Sequence, residues 1–138
     1  MGDTSTIKGL ERGRAKFAYE CAKEGKKLEN GDDKKYKSYV KNIPMLIKTN
    51  GLGPTFAFLF SKSDDAYDLI YKQIKGWLNK DEKQLVKIEN GEDLVEKIVS
   101  LESPEYRAAT IEVLSLFNWL RRFADGLIEG DGENESER

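Results

Sequence analysis

The chain has 138 residues, a net charge of −2, no histidine and a single cysteine. This length suits one domain, and the composition excludes a catalytic histidine base, a serine–histidine–aspartate triad and zinc sites made from histidine or several cysteines. No apolar run approaches the roughly 18 residues of a membrane-spanning helix and the amino terminus lacks the apolar segment of a secretory signal, so we expect a cytoplasmic protein.

The first predicted helix runs from about Thr6 to about Leu28. A seven-residue rhythm of apolar or long side chains marks its buried stripe: Ile7, Leu10, Arg14, Phe17, Cys21 and Leu28. Arg14 lies on or near this stripe, so either its head reaches the rim or an internal carboxylate holds it. The lone thiol of Cys21 is expected to be a small buried group without a partner cysteine.

A turn and a second helix follow. Asn30 and Gly31 tolerate positive φ, and Asp32 or Asp33 can cap the next helix. That helix is predicted to bury one face and to carry lysines on the opposite side; the buried residues are Tyr36, Tyr39, Val40, Ile43 and Ile47. Pro44 removes a backbone donor and clashes with the preceding turn, which predicts a kink or a break.

Asn50 and Gly51 supply the next helix end, and Gly53 with Pro54 starts a short third helix, TFAFLFSK. Its phenylalanines point nearly all round, which predicts a central position. Two helices joined by a glycine turn also outline a DNA-reading helix-turn-helix. We reject that reading because the second helix has almost no polar side chains to contact base edges.

Ser63 or Asp64 is expected to cap a fourth helix, whose predicted buried face consists of Ala66, Leu69, Ile70, Ile74, Trp77 and Leu78. Asp64 and Asp68 stand four apart and could help to hold Mg²⁺. A metal-dependent nuclease therefore stays open as a rival function, although acidic residues in a first turn ordinarily complement the helix dipole.

The segment from Asn79 to Asn90 is ambiguous. Alternating apolar residues around Asn90 and Gly91 suggest a hairpin, whereas Asp93 to Leu101 has helical spacing. We favour a loop and a short helix, because no other predicted strand could pair with a hairpin.

The last helix organises the rest of the chain. Ser103 is the expected cap, Pro104 suits the first helical position, and the stretch from Ala108 to Ile128 carries a long apolar stripe. Trp119, Arg121 and Arg122 lie outside the main stripe. We therefore predict an all-α, compact single-domain bundle of about five to seven helices around a long C-terminal helix, with the bundle at residues 1–128 and an acidic disordered tail at residues 129–138.

Charge divides along the chain. Residues 1–62 contain 13 Lys/Arg and 7 Asp/Glu, a net of +6, while residues 63–138 have a net of −8. A basic half suits a phosphate backbone and an acidic half suits a basic partner surface. An ordinary solvated surface rich in lysine and glutamate would explain the same counts.

Three segments carry a family resemblance: KYKSYVKNIPMLIKTNGLGPTFAFLFSK (Lys35–Lys62), YDLIYKQIKGWL (Tyr67–Leu78) and YRAATIEVLSLFNWLRRF (Tyr106–Phe123). Together they resemble the small all-helical subunit of the type III-B CRISPR RNA-targeting effector, the Cmr complex. Its most telling elements are IKTNGL (Ile47–Leu52) and WLRRF (Trp119–Phe123). The N-terminal helix and residues 79–90 depart from the pattern.

The resemblance implies a non-catalytic protein of antiviral defence with no cofactor and no bound metal. It also implies stacking in several copies beside the backbone subunit that bears the guide RNA, and help in holding the target RNA. Lys41, Lys48, Arg121 and Arg122 are the expected RNA-binding residues, because they lie in the matching segments and are not explained as core. Such contacts to the RNA backbone would be independent of sequence and weakened by salt. The alternative is a helical adaptor that binds proteins only.

Overall fold

The computed structural model describes residues 2–80, 86 and 93–130, of which residues 2–8, 10, 11 and 80 are described by their backbone only. All regular structure in this part of the chain is helical, namely α1 (Gly2–Lys26), α2 (Asp32–Asn50), α3 (Leu52–Ser61), α4 (Asp65–Lys80), α5 (Leu94–Ser100) and α6 (Ser103–Leu127). The predicted all-α fold with a long C-terminal helix is confirmed. The predicted short helix after the ambiguous segment is α5. Asn90 and Gly91, which gave the hairpin signal, most of the predicted loop before them, and residues 131–138 of the predicted tail lie outside the described residues.

The core lies between α1, α2, α4 and α6, and α3 packs against α2, α4 and α5. Helix α6 contacts α1, α2 and α4. Lys37 near the start of α2 meets the carbonyl of Ile128 just after α6, while Gly51 at the end of α2 lies beside Tyr106 in the first turns of α6. Helices α2 and α6 are therefore antiparallel. Within the described helices, none is long and apolar enough to cross a membrane.

Several predicted helix ends differ from the structure. Helix α1 begins at Gly2 instead of Thr6 and ends at Lys26. Gly31, in the left-handed region at φ 86°, precedes α2, and no side chain caps that end. Glu102 instead of Ser103 occupies the cap position of α6, so Ser103 is already helical. Shifts of one or two residues are usual at helix ends, because the terminal hydrogen bonds are the weakest.

Pro44 does not break α2, which runs without interruption from Asp32 to Asn50. The missing N–H costs one hydrogen bond within the helix, and a proline in a helix interior costs about 3 kcal/mol. Ile43 and Ile47 on either side of the proline are 1% and 2% exposed, so burial of the surrounding turn offsets much of that cost. The alternative of a break is therefore wrong.

Helix α3 is not central. Phe56 and Leu59 are buried, but Phe58 is 39% and Phe60 is 54% exposed. Among the described residues, α2, α4 and α5 contact this short apolar helix, and the exposure of Phe58 and Phe60 shows that part of its surface is not covered by them. The expectation that α3 is covered all round is therefore wrong.

A buried carboxylate ties α1, α4 and α6 together. Arg14 donates two hydrogen bonds to Glu112, from Nε and from Nη2, each of 2.9 Å. The indole Nε1 of Trp77 donates a third to the same carboxylate, also at 2.9 Å. The internal carboxylate that the position of Arg14 suggested is therefore Glu112, and it fixes where α6 sits against α1.

Candidate nucleic-acid interface

Beyond its first turn, α2 contains lysines but no acidic residue. Residues 34–63 contain six lysines and no aspartate or glutamate. The apolar face of α2 is buried, so its lysines flank the line along which α2 meets α6. The local sequence thus produces a helix with one buried face and one basic side.

The outer face of α6 is also free of acidic side chains over most of its length. Between Tyr106 and Ala124 the only acidic residue is Glu112. Glu112 is 6% exposed and points inward to Arg14 and Trp77. Arg121 and Arg122 are exposed on this helix. Because the carboxylate of Glu112 points into the core, the exposed side chains between Tyr106 and Ala124 are positive or neutral.

The basic side of α2 and the outer face of α6 meet in a cleft, here called the α2/α6 cleft, with a volume of about 350 Å³. Its lining residues are Pro44 and Lys48 from α2 and Ile111, Leu114, Ser115, Asn118 and Arg121 from α6. It offers one ammonium and one guanidinium group, both suited to phosphate oxygens, with a hydroxyl and an amide between apolar walls.

The turn between α2 and α3 is held against α6 by a hydrogen bond to Tyr106. Gly51 has φ 100°, which glycine adopts readily, as its place in the predicted turn required. The next glycine, Gly53, donates its N–H to the hydroxyl of Tyr106 at 2.8 Å. This bond satisfies an amide of the first turn of α3 and fixes the turn beside the start of α6.

Lys41 lies beside the cleft and not in its lining. Its Nζ is 3.7 Å from Oδ1 of Asp125, and both side chains are about half exposed. Lys37 Nζ is also 3.7 Å from that oxygen, but it is buried and donates to the carbonyl of Ile128 at 2.9 Å. Asp125 therefore pairs with both lysines, and Lys41 is the more exposed of the two.

The four predicted RNA-binding residues occupy three positions. Lys48 and Arg121 share the cleft, Lys41 is paired at its edge, and Arg122 is exposed without lining it.

The prediction from sequence missed Ser115 and Asn118, which line the cleft between the basic groups. Asn118 lies three residues before Arg121 on α6, and Ser115 lies three residues before Asn118; this spacing was the available signal.

Asp64 and Asp68, the two carboxylates considered as magnesium ligands, make contacts at the start of α4 and within it. Asp64 Oδ1 accepts the N–H groups of Ala66 and Tyr67, so it caps α4 as predicted. Asp68 pairs with Lys72 at 3.1 Å. Among the described residues no three acidic or cysteine side chains group together in a way that could hold a metal ion.

Comparison with known proteins identifies the family of the chain. Residues 10–127 match the model of the CRISPR-associated Cas_Cmr5 family. A curated relative, the CRISPR system Cmr subunit Cmr5 of Thermus thermophilus, is 30% identical over 115 residues, which cover 83% of this chain and 92% of that protein.

A solved structure is similar as well. The X-ray crystal structure of a CRISPR-associated Cmr5 family protein from Thermus thermophilus superposes with a TM-score of 0.71 at 28% identity, covering 87% of this chain and 97% of that one. The resemblance stated from the sequence is thereby confirmed. The chain belongs to the Cmr5 family and is a small Cmr subunit of the type III-B CRISPR system.

Proposed function

We propose that this subunit holds the target RNA by its sugar–phosphate backbone in the α2/α6 cleft, with Lys48 and Arg121 as the central contacts. Lys41 and Arg122 extend the contact on either side. The observation that carries the proposal is the placement of Lys48 and Arg121 in one cleft whose lining residues include no carboxylate. Ser115 and Asn118 add neutral hydrogen-bonding groups for phosphate or ribose oxygens.

In this proposal the subunit is non-catalytic and works in the cytoplasm. It stacks in several copies beside the guide-bearing backbone subunit, and base pairing with the guide carries the sequence specificity. Two features support a binding role: the chain has no histidine, and both Asp64 and Asp68 are engaged in helix contacts.

The competing function is an adaptor that contacts proteins only. The two functions differ in what the cleft cations do, so the test replaces them within the assembled complex. The test variant is Lys48→Ala with Arg121→Ala. The matched control is Arg12→Ala with Lys16→Ala, which removes one arginine and one lysine from exposed positions on α1.

We expect the cleft variant to enter the complex normally and to retain target RNA about tenfold less well at low salt, and the control to match the wild type. The estimate assumes the loss of two phosphate contacts. Equal retention by all three proteins would favour the adaptor. Nuclease activity of the pure protein with Mg²⁺, lost in Asp64→Ala, would revive the third function.

A further inference from the structure

Helix α3 exposes two large apolar side chains, Phe58 and Phe60. Its sequence, LGPTFAFLFS, has no charged residue, yet Phe58 and Phe60 project outward. A helix that is apolar all round is ordinarily covered on all sides. An exposed apolar patch with a polar rim marks an interaction site.

A cleft beside Phe60 gives this surface a shape. It has a volume of about 290 Å³ and lies between α3 and α4, with the ring of Tyr71 in its wall. Three lysines and two aspartates line it together with the apolar groups: Leu59, Phe60, Lys62, Asp68, Tyr71, Lys72, Lys75 and Asp93. Asp68 is paired with Lys72 at 3.1 Å, and the lysines outnumber the aspartates.

The aromatic rings near this cleft contact one another. Tyr39 and Tyr67 stack in parallel with centroids 3.7 Å apart. Phe58 meets Tyr67 edge-on, and Lys62 Nζ lies 4.8 Å from the centroid of Phe58. In the cleft itself, the ring centroids of Phe60 and Tyr71 are 5.9 Å apart, and Tyr71 is only 9% exposed. A nucleobase needs an open aromatic face on which to stack, so this surface is better suited to an apolar side chain than to RNA.

We propose that the surface formed by Phe58, Phe60 and the adjoining cleft docks a different protein subunit of the complex. The docking segment inserts a large apolar side chain against Phe60 and Tyr71 and places carboxylates beside Lys62 and Lys75. An apolar anchor surrounded by a charged rim is the usual anatomy of such contacts. The proposal deepens the subunit role given above and does not depend on RNA contact in the α2/α6 cleft.

A second copy of this chain is a poorer occupant. Val99 is 64% exposed and has Glu96 and Glu102 near it in sequence, so it has the required chemistry. However, α5 packs on α3, and Asp93 just before α5 lines the cleft itself. Two copies could exchange these features only across a closed two-fold contact, which does not extend into a row of subunits.

The first test measures assembly. Phe60→Ser, combined with Lys62→Glu and Lys75→Glu, should lower incorporation into the complex by about tenfold or more. The isolated variant should keep a melting temperature close to that of the wild type, because Phe60 and Lys62 are exposed and Lys75 is half-buried. Normal incorporation would overturn the proposal. Lys48→Ala with Arg121→Ala should assemble normally, which separates failure of docking from failure of RNA contact.

The second test identifies the occupant. The full-length chain with p-benzoylphenylalanine at position 60 is assembled into the complex and irradiated. The expected product is an adduct with another protein subunit, at a segment that contains a bulky apolar residue next to aspartate or glutamate. A ribonuclease-sensitive adduct with RNA, an adduct with a second copy of the chain, or no adduct from an assembled complex would each overturn the proposal.

Discussion

Arg14 and Glu112, separated by 98 positions in the chain, form a two-point ion pair with both N–O distances at 2.9 Å. Both side chains are largely buried, at 16% and 7% exposure. Arg14→Ala removes the charge that Arg14 provides to this buried carboxylate, and breaking a buried ion pair from one side typically costs about 3–5 kcal/mol. We expect that loss in the free energy of unfolding, measured with urea.

Two controls separate the pair from general charge loss. Lys23→Ala breaks an exposed pair with Glu20 at 3.7 Å and should change stability by about 1 kcal/mol or less. Arg14→Met with Glu112→Gln keeps an acceptor for Trp77 and should recover most of the loss. A cost for Arg14→Ala no larger than that for Lys23→Ala would contradict the structural role of the pair.

Gly25 allows α1 to approach a buried ring. A Cβ added at this position would overlap with ring carbons of Tyr36, which is fully buried and donates to Gln73 Oε1 at 2.7 Å. Gly25→Ala should destabilise the protein by about 1–3 kcal/mol, as overpacking does. Gly76→Ala, in α4 with nothing near the added carbon, should instead stabilise by about 0.5–1 kcal/mol. Thermal unfolding of both variants checks the opposite signs.

Under the proposed RNA contact, Asp125 would compete with RNA for Lys41, because Asp125 Oδ1 lies 3.7 Å from Lys41 Nζ. Removal of the charge in Asp125→Asn should tighten target RNA retention by about two- to fivefold at low salt. The gain should vanish when Lys41 is replaced by alanine. Asp65→Asn, at an exposed position in the first turn of α4, controls for net charge. An equal gain from both aspartate variants would show that Lys41 is not the group involved.

Asp64 should give a pH dependence of stability at acid pH. Burial raises the pKa of its carboxyl, but hydrogen bonds from the Tyr67 N–H, the Tyr39 hydroxyl and the Ala66 N–H outweigh burial, so the pKa lies below the ordinary value of 3.8. A lowered pKa in the folded state stabilises above the unfolded-state value and is lost as pH falls through the folded-state value.

The stability difference between wild type and Asp64→Asn should accordingly be constant above about pH 5 and shrink below pH 4. Asparagine keeps the capping acceptor, so only the charge changes. Tyr39→Phe removes one donor to Asp64 at 3.0 Å and should reduce the acid-dependent part. Urea unfolding at pH 7, 5 and 3 tests this, and a difference independent of pH would contradict it.

Local features of the fold were predictable because they repeat within a helical turn or two. The period of α2 predicted five inward residues; Tyr36, Val40, Ile43 and Ile47 are buried, and Tyr39 is partly buried. Asp64 caps α4, and Gly51 has the positive φ that its turn requires. Each depends on neighbours along the chain, whose geometry the sequence pattern reflects directly.

The remaining features depend on residues distant in sequence. Glu112 lies on the buried stripe of α6, three residues after Ala109 and four before Leu116, but the periodicity does not show that Arg14 is its partner. The continuity of α2 through Pro44 and the open side of α3 depend on which helices pack there. The sequence could therefore propose Lys48 and Arg121 separately, but only the antiparallel packing of α2 and α6 brings them into one cleft.

The most direct test of RNA contact in the α2/α6 cleft is the salt dependence of target RNA binding by the assembled complex. The logarithm of affinity falls with the logarithm of salt by about 0.7 for each contacted phosphate of a single strand. Lys48→Ala with Arg121→Ala should make that slope shallower by about 1.4, while Arg12→Ala with Lys16→Ala leaves it unchanged. Parallel salt plots for the wild type and the cleft variant would contradict phosphate contact in this cleft.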